Sequence, residues 1–118
     1  MFKEVLEGLI ARVQEAQGAA MIGVDGIPIA EIPIRAGIDL EKIAAECTSL
    51  IKTAVATGRA LDHGMPQELV LRCEEAQTLL RSVTPEYYLC LVLDPQAWTG
   101  RARYELQKAS WRLEGELG

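Results

Sequence analysis

The chain carries one histidine, His63, and three cysteines, Cys47, Cys73 and Cys90. A general base needs a second group to orient it, and His63 sits in a loop with Gly64 and Pro66 and no such neighbour. It is expected as a solvated loop residue. An odd number of cysteines without CxxC spacing suggests neither a disulfide framework nor a zinc site. The three are read as small buried hydrophobes in a reducing compartment. Cys47 falls on an apolar helix stripe and Cys90 in an apolar strand, which suits neither for nucleophilic work. Asp25-Gly26 has the composition of a phosphate or metal loop, but a tight turn explains both residues. There is no Walker motif and no GxGxxG. No catalytic centre, cofactor or metal site is expected, and the protein is read as a binding platform, not an enzyme.

At 118 residues the chain fits one domain, residues 1–118, large enough to bury roughly two thirds of its unfolded surface. An apolar fraction of 49% with 25% charged residues is that of a globular domain, not a disordered one. The net charge of -5 and the scatter of the twelve Lys and Arg argue against nucleic acid as a partner. The apolar runs are too short to span a membrane, and Met1 to Leu9 carries Lys3, Glu4 and Glu7, unlike a signal peptide. A cytoplasmic location is expected.

Phe2, Val5, Leu6, Leu9, Ile10 and Val13 recur at helical spacing opposite Lys3, Glu4, Glu7, Arg12 and Glu15, and Gly18 is expected to stop that helix. Ala19 to Val24 and Ile27 to Pro33 flank Asp25-Gly26, which predicts a hairpin with a type I′ turn. The first of these strands has no polar side chain and suits the middle of a sheet. The second holds Pro28 and Pro33, which cannot donate to a ladder and place it at an edge. Asp39 is a candidate N-cap for a second helix ending near Gly58, with Ile43, Cys47, Leu50, Ile51, Ala54 and Val55 as its core stripe. Its other side, Ala45, Ser49, Lys52, Thr53 and Ala56, is mostly small, so it is either a contact surface or a mildly polar solvent face.

Three strands follow. Leu69, Leu71 and Cys73 alternate with Glu68, Val70, Arg72 and Glu74; Gln77 to Val83 comes next; Tyr87 to Leu93, the most apolar run, must be central. A final helix from about Thr99 sets Trp98, Ala102, Leu106, Ala109, Leu113 and Leu117 on one stripe, with Arg101, Glu105, Lys108, Arg112 and Glu116 outside. The two all-apolar strands belong side by side, each with its hairpin partner outside it. This predicts an α/β (α+β) fold with a five-stranded antiparallel sheet in the order 2-1-5-4-3, the first and third helices on one face and the second on the other. The proline strand closes one edge. The third strand, with no proline, is left bare at the other, where it can pair with a second copy across a two-fold axis through Glu68, Leu69, Val70, Leu71, Arg72 and Cys73.

The run from Gly18 to Ala30, with its strand-Asp-Gly-x-Pro-[Ile/Val]-Ala pattern, resembles the opening hairpin of the roadblock family, named for a dynein light chain. Leu91-Val92-Leu93, a short turn, Gly100, Arg103 and Leu106 are similar to that family's ending, and the element order matches over nearly the whole chain. The resemblance implies a profilin-like sandwich and dimers joined through the third strand and second helix. It also implies the work of the family: dynein light chain, scaffold for Rag-type GTPases, or prokaryotic partner or activator of Ras-like GTPases. Carried onto this chain, the GTPase-binding positions are Ala45, Ser49, Lys52, Thr53 and Ala56, with Arg59 nearby. Arg59 and Arg72 are candidates for an arginine finger, against a plainer role as solvated cations. The sequence lacks the long C-terminal extension of some activating members, so binding is expected ahead of strong activation.

Three functions are therefore carried forward. The first is a non-catalytic homodimeric regulator of a Ras-like small GTPase. The second is a dimeric tethering scaffold indifferent to nucleotide. The third is a small-molecule sensor, which would need a cavity.

Overall fold

The structure is a computed structural model and describes residues 2–117. The elements run α1 (Phe2–Arg12), β1 (Ala16–Gly23), β2 (Pro28–Pro33), α2 (Leu40–Ala60), β3 (Glu68–Arg72), β4 (Gln77–Thr84), β5 (Tyr87–Leu93) and α3 (Thr99–Leu117). The strands form one sheet in the order β2-β1-β5-β4-β3, with every neighbouring pair antiparallel. The apolar strands β1 and β5 lie side by side near the centre, the proline strand ends one edge, and β3 ends the other.

Alternation along the strands feeds two separate cores. Met21, Leu79, Leu89, Leu91 and Leu93 point to the side where Leu6 and Leu9 of α1 meet Leu106 and Leu113 of α3. Ala20, Ile22, Leu80, Tyr88, Cys90 and Val92 point to the other side, where Leu40, Ala44, Cys47 and Ile51 of α2 pack. Burying each such large side chain contributes about 1.5–3 kcal/mol, so the period-two and period-3.6 patterns together fix which face of each element turns inward.

Several local expectations are corrected. Helix α1 ends at Arg12, not at Gly18: Ala16 N–H closes a turn on the Val13 carbonyl, and Ala16 then pairs with Leu93, which puts Gly18 inside β1. The first hairpin is not type I′. Only Gly26 of its turn has positive φ (86°); Gly26 N–H bonds the Gly23 carbonyl and Gly23 N–H the Ile27 carbonyl, which is a three-residue loop. Helix α2 continues past Gly58 to Ala60 and ends in a Schellman arrangement. There His63 N–H donates to the Gly58 carbonyl and Asp62 N–H to that of Arg59, with Asp62 at φ 57°. Trp98 is 90% exposed and outside the core, because the Asp94–Ala97 turn delivers Ala97 inward instead. Glu105, expected outside, is only 5% exposed: it sits between α3 and α1 with Lys108, Arg101 and Arg12 at 3.4, 3.7 and 3.9 Å. Three cations offset the cost of sequestering its charge.

Candidate functional site

The bare edge is the most unusual surface of the molecule. β3 pairs with β4 from Glu68↔Arg81 to Arg72↔Gln77, and among the described residues its other side has no partner strand. Its side chains divide by parity. Leu69 packs on the α2 core, and Leu71 stands on the same side but is 45% exposed. Glu68 faces α3, where Arg103 takes both its carboxylate oxygens, and Arg81 lies 3.7 Å away. Val70 shares that side and is 42% exposed. The Arg103 hydrogen bond, assisted by the charges of Arg103 and Arg81 and opposed by partial burial, holds the Glu68 carboxyl below its ordinary pKa.

Of the six edge residues expected from the sequence, Glu68 to Arg72 lie in β3. Cys73 is one step beyond, in the turn where its N–H bonds the Ala76 carbonyl, and it is exposed, not a buried hydrophobe. Cys47 and Cys90 are buried, with their thiols in contact between α2 and β5. The Cys90 thiol is pushed well above its ordinary value by that hydrogen bond and by burial. The same contact lowers the Cys47 thiol, against the opposing effect of its burial, and both sulfurs are withdrawn from solvent.

On α2, Ala45, Ser49, Lys52, Thr53, Ala56 and Arg59 are all exposed. They do not form one tight cluster. Lys52 and Arg59 border a groove of about 310 Å³ floored by Val24, Ile51, Val55, Pro85 and Tyr88. Thr53 borders a second groove, on the β3 side of the helix, where Leu50, Leu61, Met65, Pro66 and Leu69 meet. Leu50, expected in the core, lines this groove instead. Its position in the apolar stripe is right by spacing, but it faces the open groove beside Leu69 of β3 and not the closed core. Leu61 and Met65 were not legible as surface contacts, since a loop carries no periodicity. The groove depends on Gly58: a Cβ there would collide with the Gly64 carbonyl, so glycine lets the loop after α2 run close to the helix.

His63 is exposed in that loop. Among the described residues, no group of three His, Cys, Asp or Glu is placed to hold a metal ion, and no helix is long and apolar enough to cross a membrane.

A sheet in this order, with α1 and α3 on one side and α2 on the other, defines the profilin-like α/β class. The sequence profile of the Roadblock/LC7 domain matches residues 2–93, and the chain belongs to that family. Among solved structures it is similar to an MglB with a tetrameric arrangement (22% identity over 97% of this chain and 85% of that one, TM-score 0.88). It is also similar to Myxococcus xanthus MglB (15%, 98% and 94%, TM-score 0.89). Profilin IA of Acanthamoeba castellanii shares the fold at 18% identity, with 100% of both chains covered and a TM-score of 0.66. No curated protein matches the sequence.

Proposed function

We propose that the chain is a non-catalytic cytoplasmic regulator that works as a homodimer, joined through β3 and α2, and binds a Ras-like small GTPase over the paired α2 helices. The observation that carries this reading is the continuity of the surface: an unpaired strand edge with Val70 and Leu71 exposed runs into the apolar groove of Leu50, Leu61, Met65 and Leu69. A monomer gains nothing from leaving that edge open, whereas a second copy satisfies its backbone groups and covers its side chains. The likeness to an MglB of tetrameric arrangement supports assembly as the working state. Ala45, Ser49, Lys52, Thr53, Ala56 and Arg59, all exposed, supply the roof on which the partner sits. Acceleration of GTP hydrolysis, where it occurs, works by ordering the GTPase's own switch residues.

The test is titration of the purified protein against Ras-like GTPases loaded with GTP or GDP, with hydrolysis followed in the same mixtures. Tighter binding of one nucleotide state supports the proposal. A dimer that binds protein partners with no nucleotide preference is a tethering scaffold, and indifference to every GTPase contradicts the regulatory reading.

A further inference from the structure

Which residues of β3 meet across the proposed seam follows from backbone parity. Ser82 N–H donates to the Gln67 carbonyl, and Cys73 N–H donates to the Ala76 carbonyl. Gln67 and Cys73 therefore turn their peptide groups toward β4. By the alternation of an antiparallel ladder, so do Leu69 and Leu71. Glu68, Val70 and Arg72 turn theirs outward, to the open edge.

A two-fold axis perpendicular to the sheet keeps α2 on the same side in both copies, so outward residues must oppose outward residues and only a few registers remain. Centred on Leu69, the ladder sets Arg72 opposite Pro66 of the second copy, which has no N–H to give. Centred on Leu71, it sets Glu68 opposite Glu74, two like charges at each end of the seam, and Glu74 lies beyond the strand. Centred on Val70, all three outward residues pair among themselves. Val70 meets Val70, and Glu68 meets Arg72 of the second copy, twice by symmetry.

We infer that the homodimer, on the reading proposed above, zips with Val70 on the two-fold axis and Glu68 opposite Arg72 of the second copy. On the α3 side this makes a row of alternating charge, Arg81, Glu68, then Arg72 of the second copy, with Arg103 already fixing the Glu68 carboxylate from above. On the α2 side it sets Leu69 against Leu71, covering two apolar side chains that the single chain leaves partly or largely open. The order acid, apolar, base along Glu68-Val70-Arg72 is self-complementary under the two-fold. It favours a second copy of this chain over any related strand that lacks that order.

Cross-linking at a single exposed cysteine, with Cys47 and Cys90 left buried, reads the register directly. In a Cys73→Ser background, Val70→Cys, Leu69→Cys and Leu71→Cys are each exposed to a mild thiol oxidant, with light scattering on the same samples before oxidation. Residues of a hydrogen-bonded pair on the axis lie about 5.5 Å apart at Cα, within disulfide reach; one step off the axis, like residues lie beyond about 7 Å. Val70→Cys is expected to link fastest. Faster linking at Leu69→Cys or Leu71→Cys overturns the register while the β3 seam stands. A dimer that links at none of the three overturns the seam as well, and a monomer by light scattering removes the homodimer reading itself. As an independent check, Arg72→Glu reverses both cross-strand pairs and is expected to weaken self-association by roughly tenfold or more. Unchanged association contradicts the charge pairing.

Discussion

Arg103 on α3 grips Glu68 on β3 through two parallel hydrogen bonds, Nε to Oε1 at 2.6 Å and Nη2 to Oε2 at 2.9 Å. The edge strand is thus held not only by β4 but also by the helix above it. Because the folded pKa of Glu68 lies below its ordinary value of 4.5, the folded state binds fewer protons there than the unfolded state near that pH. The contribution of this pair is fully present above about 4.5 and is lost as pH falls through the lowered folded value. The carboxylate faces the guanidinium groups of Arg103 and Arg81. The protection factors of the Leu69 and Leu71 amides, which divide out the intrinsic pH dependence of exchange, are expected to fall below pH 4.5 in the native chain. In Glu68→Gln they are expected to be low already at neutral pH, with no such step.

Gln77 is buried with its Nε2 bonded and, among the described residues, its Oε1 without a partner. The Nε2 donates toward the carbonyls of Ala97, Asp94 and Pro95 at 2.8, 3.1 and 3.3 Å, tying β4 to the turn that precedes α3. Gln77→Leu leaves those carbonyls without their donor and is expected to destabilise by about 1–3 kcal/mol. Urea unfolding checks it, and a midpoint equal to that of the native chain would show the carbonyls satisfied in another way.

Gly58 inverts the usual helix rule. Alanine is favoured over glycine by about 1 kcal/mol in a helix interior, so propensity alone predicts that Gly58→Ala stabilises. The collision of its Cβ with the Gly64 carbonyl is a backbone contact that no rotamer change relieves. Gly58→Ala is expected to lower the melting temperature and displace the loop carrying Met65; a rise would show that the loop yields freely.

Lys52 and Arg59 are exposed cations on the rim of one groove. Lys52→Glu with Arg59→Glu is expected to leave the melting temperature and the dimer unchanged and to weaken GTPase binding by roughly tenfold or more. Surface plasmon resonance against the GTP-loaded partner measures it, and unchanged affinity would move the docking surface elsewhere on α2.

The sheet order was legible because two runs, Ala19 to Val24 and Tyr87 to Leu93, lack polar side chains, while Pro28 and Pro33 mark an edge. These are signals of backbone chemistry and burial, and they survive without knowing any neighbour. What was not legible depends on distant neighbours. Gln77 looks like any strand polar residue until the Asp94–Ala97 turn is folded over it. Glu105 looks solvent-facing on a helical wheel until α1 brings Arg12 beside it. Leu50 belongs to the apolar stripe of α2, yet it lines the open groove beside Leu69 of β3, and that open side is where the proposed second copy packs.

Sedimentation velocity of the native chain and of Val70→Asp, at micromolar concentration and with circular dichroism to confirm folding, tests the homodimer most directly. The native chain is expected to sediment at twice the chain mass and the folded variant at the mass of one chain. A native chain that sediments as one chain, or a variant that stays paired, would contradict the joining of two copies along β3.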